Sequence, residues 1–201
     1  MSLVLSVTCG LWAVPPARAD MIDTSGMEPW EVCGLCHSLD GNSRMAKFPK
    51  LAGQRADYIE KQFRDFHSGN RLNDGGQMEA ITTEIDFADL PRIAAYFSAL
   101  PPPPPFEEED AAGVDAAVLF REGRGEIPAC LSCHDGALPA APWLEAQHAD
   151  YVAKQLTDFQ TGERTNDADS IMRAVAVQLS ADDIVALSVF IAAQQRPERV
   201  P

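Results

Sequence analysis

What this chain lacks first is cysteine free to build a disulfide framework. Five cysteines occur in 201 residues, and four of them fall in two copies of one short pattern, Cys33-Gly34-Leu35-Cys36-His37 and Cys130-Leu131-Ser132-Cys133-His134. The fifth, Cys9, lies in the apolar N-terminal run behind Thr8, not behind the small residue expected ahead of a lipidated cysteine. A cross-linked scaffold of the kind small exported domains use is therefore excluded. Basic residues are also scarce, 16 Lys and Arg against 30 Asp and Glu. Such an acidic field disfavours nucleic acid and anionic membrane surfaces and steers basic partners. Beyond the N-terminus no stretch approaches the roughly 18 apolar residues of a membrane-spanning helix.

What is present organises the chain around the repeated pentapeptide. Two thiols three positions apart on one helical turn can add across the two vinyl groups of a single haem, and the next residue, histidine, then turns its ring toward the iron. Cys33, Cys36, Cys130 and Cys133 are thus expected to carry two covalently attached haem c groups, with His37 and His134 as axial iron ligands. A zinc site built from both cysteine pairs would leave the two following histidines a coincidence. A thioredoxin-like site would need a preceding strand, and none is evident.

The N-terminus reads as a processing signal. Residues 1–14 are apolar, two prolines follow, and Ala17-Arg18-Ala19 forms a cleavage site that leaves Asp20 first. No Lys or Arg precedes the apolar run, which leaves the true start of the chain open, and an uncleaved membrane anchor is the competing reading. Either way the chain is expected to be exported and periplasmic. Counted from Asp20, 15 basic residues face 30 acidic ones, a net charge of −15.

The mature chain divides into a unit over residues 20–100, a linker over 101–113, a second unit over 114–195 and a tail over 196–201. The linker opens with five prolines and continues with four acidic residues, Glu107 to Asp110. Helix cannot pass through the prolines, which favour an extended rod. The flanking units are an internal repeat. Residues 51–63 align with 144–156 at a constant offset of 93, and the match continues through Asp65, Phe66 and Gly69 to Asp158, Phe159 and Gly162. Ile59, Phe63 and Phe66, and Val152, Leu156 and Phe159, are spaced as the apolar face of a helix closed by a left-handed glycine. A final helix is expected in each unit. Leu90, Ile93, Ala94 and Phe97 form its stripe in the first, while Ile184, Leu187 and Ile191 do so behind a Ser180/Asp183 capping box in the second. Residues 116–121 read as a short helix packing on that last one. The first unit has less room for its counterpart, with Pro29 interrupting.

The repeat also selects a sixth ligand. Each unit holds one methionine between its capping glycine and its final helix, Met78 and Met172, each 18 residues before an aromatic, Tyr96 and Phe190. A thioether opposite histidine favours ferrous iron and fills the site, so that the iron passes electrons without binding substrate. Met45 has no partner in the second unit, and Met27 precedes the first pentapeptide. His67 and His148 do not recur in the repeat either, and both read as exposed polar helix residues rather than ligands.

Around these motifs the chain resembles the dihaem cytochromes c4, in Asp40-Gly41-Asn42-Ser43, in Phe48-Pro49-Lys50-Leu51-Ala52-Gly53-Gln54, in residues 147–159, in Arg164-Thr165-Asn166-Asp167 and in Met172-Arg173. The resemblance implies an all-α fold of two tandem class I cytochrome c domains related by internal duplication and facing each other across a pseudo-twofold axis. It further implies periplasmic electron transfer toward a terminal oxidase, with His37 and Met78 on one iron and His134 and Met172 on the other. The second unit departs from the pattern: it lacks the Asp-Gly-Asn-Ser turn and is four residues shorter between His134 and Pro142. A free carrier, a cytochrome subunit of a flavoprotein or quinoprotein dehydrogenase, and a dihaem enzyme with an openable iron share these motifs. The two methionines argue against the last. Redox proteins with basic docking surfaces, such as a membrane oxidase or a dehydrogenase, are the expected partners.

Overall fold

The computed structural model describes residues 24–106, 113–138 and 140–197. The expected signal peptide and the acidic stretch of the linker lie outside these residues, as does most of the tail. Among these described residues nine α-helices follow in order: α1 (Pro29–His37), α2 (Ala56–His67), α3 (Gln77–Glu84), α4 (Leu90–Ala99), α5 (Gly113–Glu122), α6 (Leu131–His134), α7 (Ala149–Thr161), α8 (Ile171–Ala176) and α9 (Ala181–Ala193). Among the described residues no strand forms, only one isolated bridge between Arg124 and Ile127.

Two separate cores result, one on each side of the prolines. In the first, Ile59 and Phe63 of α2 pack on Leu90, Ile93, Ala94 and Phe97 of α4, with Trp30 and Cys33 of α1 against them. In the second, Val152 of α7 meets Ile184, Leu187 and Ile191 of α9, and Ala116, Leu119 and Phe120 of α5 complete the cluster. Both final helices thus bury the stripe that their spacing predicts. Burying a Leu or Phe side chain removes enough apolar surface from water to contribute about 2 kcal/mol, so these few residues dominate each unit.

The helix ends follow from local chemistry. Ser180 caps α9 by accepting from the Asp183 amide, while the Asp183 carboxylate accepts from the Ser180 amide. Gly162 ends α7 in the left-handed conformation. Pro29, expected to interrupt the first unit, instead starts α1 as its first residue, where a missing N–H is no loss. A single helix therefore does in the first unit what two do in the second. α1 stacks Trp30 on Tyr96 at 5.1 Å between ring centroids and also carries Cys33, Cys36 and His37. In the second unit α5 packs on α9, and the separate single turn α6 carries Cys133 and His134.

The proline segment is without helix and lies against the protein. Pro103 is fully buried, and the Phe106 amide donates to the Ala192 carbonyl at 3.0 Å.

Candidate haem sites and domain interface

Each pentapeptide is built on a helix whose last residue is the histidine. His37 is buried, and its Nδ1–H donates to the Pro49 carbonyl at 2.8 Å. His134 is buried likewise, and its Nδ1–H donates to the Pro142 carbonyl at 2.9 Å. A carbonyl can only accept, so each bond fixes the proton on Nδ1 and leaves Nε2 with a free lone pair. His37 Nε2 is a buried nitrogen with no hydrogen-bond partner, which a protein core tolerates poorly unless another group completes it. Burial also pushes both imidazoles below their ordinary pKa, against the opposing pull of the carbonyls, so the neutral ring that a metal requires is the favoured one. Pro49 and Pro142 align in the repeat, although the intervening loop is twelve positions in one unit and eight in the other. The shorter loop reaches the same carbonyl.

Among the described residues Cys33, Cys36, Cys130 and Cys133 form no disulfide. Burial raises the Cys33 thiol to about 12 and the Cys130 thiol to about 11, keeping both protonated. Unpaired thiols beside a buried imidazole with an uncommitted lone pair fit covalent haem attachment and axial ligation. Met78 and Met172 occupy equivalent places. Each is half-buried and the second residue of a short helix, α3 or α8, packed on the long helix of its own unit.

A second constellation, to which no role was assigned from sequence, joins the two units. Arg71 is buried and donates through Nη1 to Gln62 Oε1 at 2.7 Å and through Nη2 to Gln155 Oε1 at 2.8 Å. Its repeat partner Arg164 donates to Gln155 at 2.8 Å and to Gln62 at 3.0 Å. Asn73 reaches Asp158, and Asn166 reaches Asp65, both at 2.5 Å. The Gln54 side-chain amide pairs with the backbone of Trp143, donating to its carbonyl and accepting from its N–H, and Gln147 does the same with Lys50. Every bond has its reciprocal at an offset of 93, which is the signature of an isologous contact within one chain. The available signal was the recurrence of Gln62 and Gln155 inside otherwise apolar helix faces.

Two histidine readings need correction. His148 is buried, and its Nε2–H donates to the Ser43 carbonyl at 2.8 Å, the position where Arg55 donates to the Gly136 carbonyl in the reciprocal contact. His67 is half-buried between Phe63 and Phe87 and donates through Nδ1 to the Thr82 carbonyl at 3.0 Å. Neither is an exposed helix residue, because each ring is turned inward to donate to a backbone carbonyl.

The chain matches no protein-family model. It is 40% identical over 195 residues to cytochrome c4 of Pseudomonas aeruginosa, covering 93% of this chain and 94% of that relative. The chain belongs to the cytochrome c4 family. A crystal structure of reduced recombinant cytochrome c4 from Pseudomonas stutzeri superposes with a TM-score of 0.72 at 41% identity, covering 81% of this chain and 93% of that one. A protein named thiosulfate dehydrogenase electron acceptor from Stutzerimonas stutzeri is 33% identical over 169 residues, covering 80% of this chain and 77% of that relative. As a cytochrome c4 the protein is a dihaem c-type electron carrier, all-α, with two tandem cytochrome c domains. Among the described residues no single helix is long and apolar enough to cross a membrane.

Proposed function

We propose that this cytochrome c4 is a periplasmic carrier passing electrons from respiratory donors to a terminal oxidase, and not itself an enzyme. In this reading Cys33 and Cys36 hold one haem and Cys130 and Cys133 the other, His37 and Met78 ligate the first iron, and His134 and Met172 the second. The observation that carries it is the duplicated imidazole, held by a proline carbonyl through Nδ1 so that Nε2 is left for the metal. The haem, when bound, supplies a one-electron ferric/ferrous couple. The chain's own residues do the rest. The carbonyls of Pro49 and Pro142 orient each imidazole and raise its basicity. The Met78 and Met172 thioethers would supply the second protein ligand to each iron.

The acidic surface supports basic partners, since oppositely charged patches speed encounter without demanding a large interface. Redox titration with a pyridine haemochrome count should return two haems per chain. Met78→Ala and Met172→Ala should each lower the potential of one haem while leaving both covalently attached, because the thioethers come from the cysteines. If neither substitution changed the spectrum or potential of either haem, the ligand assignment would be wrong.

The relationship to the thiosulfate dehydrogenase electron acceptor favours a second reading, a cytochrome partner of a dehydrogenase. Co-purification with a stoichiometric dehydrogenase that reduces the protein at a saturating rate would decide for it, and repeated isolation of the cytochrome alone would decide against it.

A further inference from the structure

The turn that delivers each methionine is made differently in the two units. In the first, Gly75 and Gly76 precede Met78 by three and two residues and adopt φ of +77° and +81°. Glycine takes this conformation without strain. In the second unit the residues three and two before Met172 are Asp169 and Ser170, with φ of +51° and +59° and ψ of 22° and 23°. A residue other than glycine held left-handed shifts a conformational equilibrium by roughly five- to thirtyfold against that state. Packing does not hold them there, since both side chains are exposed.

The residue after the methionine bonds to both flanks of this turn, beside the Ile171 N–H that donates to the Ala168 carbonyl. The Arg173 guanidinium donates through Nε to Asp167 Oδ1 at 2.8 Å and through Nη2 to Ser170 Oγ at 2.7 Å, and its backbone N–H donates to Asp167 Oδ2 at 3.0 Å. The Asp167 side chain is only 4% exposed and the Arg173 side chain 34%, so the carboxylate end of the pair is shielded and the guanidinium end reaches solvent. In the first unit Asp74 accepts from the Gly76 and Met78 amides instead, and Glu79 follows the methionine, a carboxylate with no N–H to donate. One turn is relaxed and uses backbone donors. The other is strained and clamped by a side chain.

We propose that Arg173 is a positioning residue for Met172: its clamp on Asp167 and Ser170 holds the Asp169–Ser170 turn in a strained conformation that keeps the thioether on the second iron. Release of the clamp opens that iron, and not the first, to small exogenous ligands. The inference rests on the reading of Met172 as the axial ligand. The methionine of the second unit is then the one that can be displaced, because a strained loop relaxes away from its ligand once its tie is cut.

Imidazole titration of the oxidised dihaem protein, followed through the methionine–iron charge-transfer band and the two potentials, tests it. Arg173→Ala should raise imidazole affinity about tenfold at one haem only, the same haem that Met172→Ala alters and not the one that Met78→Ala alters. Adding Asp169→Gly and Ser170→Gly to Arg173→Ala should bring that affinity back to within about twofold of the starting protein, since glycine needs no clamp. Unchanged imidazole affinity in Arg173→Ala, or a failure of the glycines to restore it, overturns the clamp. If Met172→Ala leaves both haem spectra unchanged, the ligand assignment falls first and the clamp with it. A lost band in Met172→Ala beside an unaffected Arg173→Ala overturns the clamp alone.

Discussion

At the scale of single residues, the informative groups are charged side chains placed where charge is unwelcome. Lys50 is buried beside the linker, with Nζ 4.1 Å from the centre of the Phe106 ring, and follows Pro49, the carbonyl that holds His37. Burial lowers its pKa from 10.5 to about 8, and the nearby Arg196 guanidinium adds to the effect. The unfolded chain binds this proton more tightly than the folded one. Between pH 8 and about 10.5 the Lys50 contribution to stability therefore rises with pH, and below pH 8 its full penalty is present. Lys50→Met keeps the stem against Phe106 and removes the charge. It should stabilise the protein by about 1 kcal/mol at pH 7, with the advantage shrinking by pH 10. Denaturant unfolding at the two pH values checks this, and a gap that did not narrow would remove Lys50 as its source. Arg196 shares the cluster. It is fully buried and ties the carbonyls of Ala52, at 2.6 Å, and Glu145, at 3.0 Å, so one residue beyond α9 touches both units.

At the scale of helices, stability should track the predicted stripes. Leu187 is 2% exposed between α5 and α7, and Leu187→Ala should cost about 2–5 kcal/mol. Val185, on the opposite face of the same helix, is 62% exposed, and Val185→Ala should change stability by less than about 0.5 kcal/mol. Equal shifts in the two melting temperatures would contradict the packing described. This level was the most legible in the sequence, because a 3.6-residue apolar period and a Ser/Asp box have few other physical meanings. The stripe of α4, the α9 cap and the α5 helix against α9 all appear where the spacing puts them. Pro29 was misread because proline breaks a helix interior and starts a helix equally well, and only the neighbouring geometry tells the two apart. His67 and His148 were misread for a related reason. A polar residue that does not recur in a repeat looks surface-exposed, yet the repeat's geometry can be served by a different donor in each copy, Arg55 in one and His148 in the other.

At the scale of the whole molecule, the question is what makes two small units behave as one. Each core alone is modest, and the contact between them is polar, reciprocal and buried, which is why no hydrophobic pattern announced it. The pentapeptides, by contrast, stand out in the sequence by their repeated spacing, and the carbonyls that accept from their histidines do not, since any residue supplies one. Within the interface the Gln62 and Gln155 side-chain oxygens each accept from both Arg71 and Arg164. Losing one guanidinium leaves the other still satisfying both glutamines, while losing both leaves two buried glutamines served only by Asn73 and Asn166. Arg71→Ala and Arg164→Ala should therefore each cost about 1–3 kcal/mol, and the double variant should depart from their sum by roughly 0.5 kcal/mol or more. The first loss is buffered and the second is not, so the departure should be toward greater destabilisation. In calorimetry the double variant should also split the unfolding into two transitions, one per unit, with the haem count unchanged. Strict additivity with a single cooperative transition would show that the remaining contacts, the Gln54 and Gln147 pairs and Arg196 among them, couple the units without the arginine pair.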